Sequence, residues 1–506
     1  MPHEAPPLTK ILATLGPATD DRRVLLKLVE HGAALFRLNF SHGGIEEHAR
    51  RLALVRSVAD ETKKPLAVLG DLPGPKIRIA KVPAVHEGIG IRLEAGQDVL
   101  IRGNLIESKP ASPETGGLPV LACNYKKLAA EVDPGHRVLI NDGAVRMLTV
   151  VSDGEQLLCR VTTGGMIISG KGLNLPDSEL SIPATTEKDL LLAAWAVENG
   201  LDYLALSFVR KPDELRAINE CLHRACSIVP NAGNVSDIPV IAKIETPQAV
   251  KNIDAILAEA DGIMVARGDL GVEMEIARVP VIQKLLMRKA NEFGKPCIVA
   301  TQMLESMIEN SNPTRAEVSD IANAIYDGAD AIMLSGETAV GKYPVLAVEM
   351  MRRVALATEE SLRDQNQEPK PPARLREARE RIPAVAHGAW HMAQDVGAVL
   401  AVVWSQDGQA ARYLSRIGFR MPILAFSTSP AAVRRMSLFF AVRPVLVAQV
   451  PQHRSDFARI ADWHIIENAL AEKGQPIVLL GGKPFDEPGA TNTAAIRFVG
   501  ELAGSE

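Results

Sequence analysis

The 506-residue sequence predicts an α/β fold: a closed (β/α)8 barrel of TIM type, carrying an inserted all-β lid domain and followed by a C-terminal α/β domain. Three observations carry that expectation. Eight short, β-rich apolar runs recur, each followed by a helical pattern. One stretch after the third run is patterned as hairpins. A Pro-rich, charged segment then separates a second, smaller alternation of helix and strand.

The eight runs are 11–14, 34–38, 66–70, 203–208, 240–244, 262–266, 297–300 and 331–334. Near-continuous apolar strands alternating with helices imply a parallel sheet covered on its outside. Eight such units point to closure, since doubly wound sheets normally carry fewer. Between the strands, Asp20-Asp21 opens a helix that closes on Gly32, and Thr185-Thr186 opens one that closes on Gly200. An oxygen at the N-cap and a glycine past the C-terminus satisfy a helix's orphan backbone groups.

From Gly74 to about Ile182 the pattern turns to β, at 98–102, 137–141, 145–151, 157–161 and 166–169. Turn signals such as Asp133-Pro134-Gly135, Asp142-Gly143 and Asp153-Gly154 separate these runs. An insertion after the third strand hangs over the C-terminal mouth of a barrel as a lid. Beyond RDQNQEPKPPARLREARERIP, runs at 399–403, 423–425, 445–447 and 477–480 read as the last domain. The expected division is 8–74 with 180–365 for the discontinuous barrel, 75–179 for the lid and 366–506 for the C-terminal domain.

Composition excludes several classes of function. Charged residues at 23% and apolar ones at 47% are ordinary for a globular chain. A net charge of −5 without a basic block, and 4% aromatics, give no footing for nucleic acid or an anionic membrane. No apolar run reaches membrane length, and the N-terminus has no signal-like core. The five cysteines (Cys123, Cys159, Cys221, Cys226, Cys297) form no C-x-x-C pair, so no disulfide framework or zinc site is expected. The expected location is cytoplasmic.

Barrel function sits at the C-terminal ends of the strands. Strand two runs into Arg37, Asn39 and Ser41, and strand three ends at Asp71. Strand five carries Lys243 and Glu245, and strand six ends in Arg267-Gly268-Asp269. Strand seven ends at Thr301-Gln302, and strand eight at Ser335-Gly336-Glu337. Singly, Asp71 is an N-cap, Lys243 with Glu245 a structural ion pair, and Thr301 the cap of the next helix. Six such ends converging on one mouth call for a metal or phosphate. Glu245 and Asp269 are hard oxygen ligands suited to Mg²⁺, with Mn²⁺ as the alternative. Arg37 offers a bidentate fork for phosphate and Lys243 a point charge. Gly268 permits close approach of backbone to a ligand.

The chain resembles the pyruvate kinases. The resemblance rests on KILATLGPAT, FRLNFSHG, DLPGPKIR, NDG, KGLNLP, LSFVR, IAKIET, DGIMVARGDLGVE, ATQMLESM, NPTRAEVSDIANAIYDGADAIMLSGETAVGKYP and GKPFDEPGATNT. It implies phosphoryl transfer between phosphoenolpyruvate and ADP, giving pyruvate and ATP, by a homotetramer. It also implies that Lys243 stabilises the phosphoryl in flight, Glu245 and Asp269 bind Mg²⁺, and Arg37 grips phosphate. Gly268 and Thr301 would hold the carboxylate end, with Thr301 also serving protonation of the enolate. His42, Arg78 and Lys171, with Asn39, match positions near the nucleotide. Asn39, Ser41 and Asp71 match the monovalent-cation site. Other Mg²⁺-dependent barrel enzymes of pyruvate enolates lack both this lid and this last domain.

Two departures from the family pattern stand out. Many members read Asp-Thr-Lys-Gly-Pro-Glu at the end of strand three, where this chain reads Asp71-Leu72-Pro73-Gly74-Pro75-Lys76. An ammonium at Lys76 would replace the cation, so K⁺ is expected not to be required; the plainer alternative is a solvated hinge residue. In the last domain the turn that receives an effector phosphate in some members reads Trp404-Ser405-Gln406-Asp407-Gly408-Gln409. An acid there disfavours a sugar bisphosphate.

Overall fold

The computed structural model describes residues 6–228, 238–364 and 379–501, with 372, 374 and 377 between them. The linker expected from Arg363 onward lies mostly outside the described residues. Eight parallel strands close in chain order, the eighth pairing back onto the first. They are Lys10–Thr14, Ala33–Asn39, Ala67–Leu72, Tyr203–Leu206, Val240–Ile244, Gly262–Ala266, Cys297–Ala300 and Ala331–Leu334.

Period-two alternation sorts their side chains. Leu12, Leu35, Leu69, Ile241, Met264 and Ile298 belong to one buried cluster, inside the barrel. Ile11, Phe36, Val68, Ile263 and Val299 belong to another, which takes in Leu25, Val55 and Leu286 of the surrounding helices. The expected caps form. Asp21 accepts from the Arg23 N–H at 2.7 Å, and Thr186 and Asp189 cap each other's backbone N–H. Gly32 and Gly200 follow their helices at φ 107° and 61°, conformations that favour glycine.

Strand four is shorter than expected. It stops at Leu206 because Ser207 turns its hydroxyl onto the Leu72 carbonyl, at 2.7 Å, and Phe208 takes φ 56°. The sequence run continued to Phe208; the chain leaves the sheet to build the site.

The lid holds a six-stranded sheet and a two-stranded one over its own core, which includes Ile79, Val99, Leu121, Val138 and Val161. Its expected strands appear at Asp98–Arg102, Arg137–Ile140, Val145–Ser152, Gln156–Thr163 and Gly165–Ile167. Three more, Ile91–Leu93, Val120–Ala122 and Leu173–Asn174, are too short to show a period. The all-β description also needs one correction, since Leu128–Glu131 forms a single helical turn.

In the C-terminal domain the sheet runs Val442–Leu446, Ile423–Ser427, Leu400–Trp404, Pro476–Gly481 and Thr493–Phe498. The run expected at 445–447 is displaced to Val442–Leu446, because Arg443 and Pro444 interrupt the apolar pattern. Proline is tolerated there because this strand is an edge. The antiparallel strand Thr493–Phe498 is half-exposed and polar in part, and gave no apolar run. Among the described residues no helix is long and apolar enough to cross a membrane, and none of the five cysteines is disulfide-bonded.

Buried polar contacts join the barrel's N-terminal face to this last domain. Asp330 meets the Arg416 guanidinium, and Asp202 meets Arg434 at 2.7 Å. Lys10 Nζ donates to the Val442 carbonyl at 2.6 Å.

Candidate active site

At the opposite mouth the strand ends bring the expected charges together. Lys243 Nζ lies 2.9 Å from Glu245, 3.3 Å from Asp71 and 2.7 Å from the Ser207 hydroxyl. Arg37 donates to the other Asp71 oxygen at 2.7 Å and to Thr14 at 3.2 Å. The Phe208 N–H donates to Glu245 Oε2 at 2.7 Å, so the left-handed turn after strand four anchors that carboxylate. Asp71 and Glu245 are 2% and 1% exposed, which removes the N-cap reading of Asp71.

Burial alone would lower the Lys243 ammonium; Asp71, Glu245 and Asp269 overcome it and raise the group above its ordinary range. Burial would raise Asp71, but Lys243 and Arg37 hold it below the usual carboxylate range. Burial pushes Glu245 up, Lys243 opposes this and Asp269 reinforces it. The result is a charged lysine held among carboxylates without being neutralised.

Strand seven supplies a strained corner. Thr301 and Gln302 have φ 69° and 57°, rare for a β-branched residue. Arg267 holds both carbonyls, at 2.8 and 3.3 Å, while paired with Asp320 at 2.6 Å. Arg267 is therefore a support for this corner. The Thr301 hydroxyl accepts the Gly268 N–H at 2.7 Å and donates to the Ala300 carbonyl at 2.6 Å. A Cβ at Gly268 would come within 3.3 Å of that hydroxyl, so a side chain there would press on it. Glu337 accepts from Leu304 and Ser335 N–H groups and is structural. The Ser335 hydroxyl, one of the polar groups expected at the end of strand eight, is buried without a partner among the described residues.

Asp269 differs from every other acid here: among the described residues its carboxylate has no hydrogen-bond or ion-pair partner. It faces Glu245 electrostatically and lies in the first turn of the helix Arg267–Glu273. Two cations, Arg37 and Lys243, stand among three acids, Asp71, Glu245 and Asp269, so one carboxylate, that of Asp269, is left unmatched. An unmatched carboxylate beside Glu245 suits a divalent cation. No group of three protein ligands forms among the described residues.

A cleft of ≈ 710 Å³ opens between barrel and lid. It is lined by Asp269, Glu273, Phe208 and Thr246 from the barrel and by Lys76, Asp142 and Asn174 from the lid. Arg78 and Lys171 sit on neighbouring lid segments, where the Ile79 N–H donates to the Lys171 carbonyl; the Arg78 guanidinium donates to the Gly170 carbonyl. His42 is exposed beyond strand two, and Asn39 accepts the Ser41 N–H at 3.1 Å. Lys76 is exposed on the cleft wall with no acidic partner among the described residues, and Asp71 is already taken by Arg37 and Lys243. Ser207, Glu273 and Asn174 escaped sequence reading. Glu273 had a signal: it stands four residues beyond Asp269, one helical turn along the same face.

A lidded (β/α)8 barrel with a carboxylate pair, a buried lysine and an arginine at its strand ends has the groups that phosphoryl transfer calls for. Comparison with known proteins gives the particular family. Residues 7–348 match the pyruvate kinase barrel-domain model and residues 383–497 the pyruvate kinase alpha/beta-domain model. Pyruvate kinase 2 of Synechocystis is 38% identical over 99% of this chain and 80% of its own. The pyruvate kinase of Mycobacterium intracellulare is 38% identical over 97% of this chain and 98% of its own. A crystal structure of a pyruvate kinase from Cryptosporidium parvum superposes with a TM-score of 0.86 at 31% identity, covering 97% of this chain and 96% of that one. The chain belongs to the pyruvate kinase family.

Proposed function

We propose the following division of labour for the pyruvate kinase reaction that family membership assigns to this chain, phosphoenolpyruvate and ADP giving pyruvate and ATP. The observation that carries it is the unmet Asp269 carboxylate beside Glu245, against a lysine that remains charged. Glu245 and Asp269 hold Mg²⁺, or Mn²⁺ in its place, and the ion supplies charge that binds substrate oxygens. Lys243 sits where it can meet the migrating phosphoryl, and Arg37 grips phosphate with its second face. Thr301 and Gly268 form the wall for the carboxylate end, with the Thr301 hydroxyl the proton-handling group near the enolate. His42, Arg78 and Lys171, with Asn39, face the nucleotide phosphates. The lid excludes water that would otherwise take the phosphoryl.

Asn39, Ser41 and Asp71 outline the monovalent-cation pocket, and Lys76 supplies a tethered positive charge in place of K⁺. Its exposed ammonium, unpaired by any acid among the described residues, is free to swing toward bound phosphates. The C-terminal domain serves regulation and assembly, as part of a homotetramer in the cytoplasm, with domain limits at 74/75, 179/180 and 365/366. The turn at Ser405–Gln409 borders a cavity of ≈ 260 Å³ lined by Asp407 and Glu487 and by no lysine or arginine. Fructose 1,6-bisphosphate therefore activates poorly.

A coupled assay for pyruvate from phosphoenolpyruvate and ADP tests the whole reading. Turnover that needs Mg²⁺ or Mn²⁺ and falls away in Glu245→Gln is expected. Full turnover in Glu245→Gln would contradict it.

A further inference from the structure

The helix Arg267–Glu273 carries Asp269 in its first turn and Glu273 at its end. Glu273 is 6% exposed, and its Oε1 accepts from the side-chain amide of Asn174 at 2.6 Å. Asn174 belongs to the lid, on the two-residue strand that pairs with Arg137–Ile140. Ser181, where the chain returns to the barrel, also bonds Lys127 and Glu131 of the lid; the Asn174–Glu273 pair is the one that reaches the helix carrying Asp269. The lid turn after Ile140 passes close beside it: a Cβ added at Gly143 would stand 3.8 Å from Val272. Lid and barrel thus meet on one helical turn, immediately beyond the unmet carboxylate, and both Asn174 and Glu273 line the cleft.

We propose that Asn174 and Glu273 are positioning residues that fix the lid over the substrates, registering it to the helix that presents Asp269. The proposal rests on the reading of Glu245 and Asp269 as the metal pair, and it deepens that reading. Placing the anchor on the metal-bearing helix couples the two parts of the site directly. A lid carrying Arg78 and Lys171 is held at a set height above Asp269 by a contact four residues from it. Burial, reinforced by Asp269 and Glu245, pushes the Glu273 carboxyl up to about 7, with Asn174 and Arg137 opposing. The contact does not depend on that titration. An amide N–H donates to a carboxylate or to the carbonyl oxygen of the neutral acid alike.

The test is a donor–acceptor swap in the full-length enzyme, read by hydrogen exchange of the lid turn 141–144 and by steady-state kinetics. Asn174→Ala should speed exchange in that turn and raise the KM for ADP by about tenfold, with kcat changed less, the scale set by losing one buried hydrogen bond. Glu273→Gln keeps the acceptor oxygen and should stay near the parent. Asn174→Asp, assayed well above the Glu273 midpoint of about 7 so that two ionised acids face each other, should behave at least as badly as Asn174→Ala. The double variant Asn174→Asp/Glu273→Gln reverses donor and acceptor and should restore both readouts. Parent-like exchange and KM in Asn174→Ala, or a double variant no better than Asn174→Asp, would overturn the proposal. If exchange follows the swap while the parent makes no pyruvate, the lid contact stands and the functional reading fails.

Discussion

The two ends of the barrel treat buried acids in opposite ways. At the N-terminal end both oxygens of Asp330 and of Asp202 are satisfied. Asp330 accepts from Arg416 and from the Cys297 and Phe440 N–H groups; Asp202 accepts from Arg56, Arg434 and the Val68 N–H. These contacts join the barrel to the C-terminal domain and leave nothing for a ligand to do. At the C-terminal mouth Lys243 is shared between Asp71 and Glu245, and Asp269 accepts nothing. Completed pairs hold the fold; an incomplete set marks where a ligand belongs.

That contrast can be broken from either end. The largest effect is expected at the mouth. Lys243→Met should leave the fold intact and lower turnover by roughly 10²–10³-fold or more, the scale of losing one contact made to developing charge. A coupled assay beside a denaturation curve checks both halves. Near-normal turnover would remove Lys243 from the mechanism.

The opposite end should show the opposite split. Arg416→Met strands the Asp330 carboxylate, which is 0% exposed, and should cost about 3–5 kcal/mol of unfolding free energy, leaving turnover per folded molecule unchanged. Equal stability of the two proteins in urea would show that the pair is dispensable. A smaller, reversed effect is expected for Asp269→Asn, which removes a repulsion with Glu245 while Lys243 keeps its pairs with Glu245 and Asp71. The metal-free enzyme should melt a few degrees higher than the parent, the shift that about 1 kcal/mol produces or less. A lower melting point would mean that Asp269 is structural.

The smallest effect concerns monovalent cations. The parent should work equally in Na⁺, K⁺ or tetramethylammonium at constant ionic strength, and Lys76→Glu should acquire a K⁺ requirement. Stimulation of the parent by more than about tenfold, well beyond the mutual repulsion expected of two screened cations, would place K⁺ back in the pocket.

Legibility followed the physics of each part. The barrel strands are buried on both faces, so Ile11–Thr14 or Gly262–Ala266 reads directly as an apolar run. Val120–Ala122 and Leu173–Asn174 are too short for any period, and Thr493–Phe498 shows half its side chains to water. Lys243 was visible because it interrupts an apolar strand, and Glu245, Asp269 and Thr301 because they follow closely on the ends of such strands. Ser207 and Phe208 were not, because their roles depend on a turn: the strand stops early, and a backbone N–H becomes the partner of Glu245. Asn174 carried no signal, since a lone asparagine near a turn is ordinary; only the fold brings it to Glu273.

The central claim is that the mouth leaves the Asp269 carboxylate unmatched and that a divalent cation binds there beside Glu245. Calorimetric titration of Mn²⁺ with phosphoenolpyruvate into the parent, Asp269→Ala and Arg416→Met tests it most directly. Tight, mutually dependent binding of metal and phosphoenolpyruvate is expected in the parent and in Arg416→Met, with both isotherms collapsing in Asp269→Ala. Matching isotherms for the parent and Asp269→Ala would contradict the account.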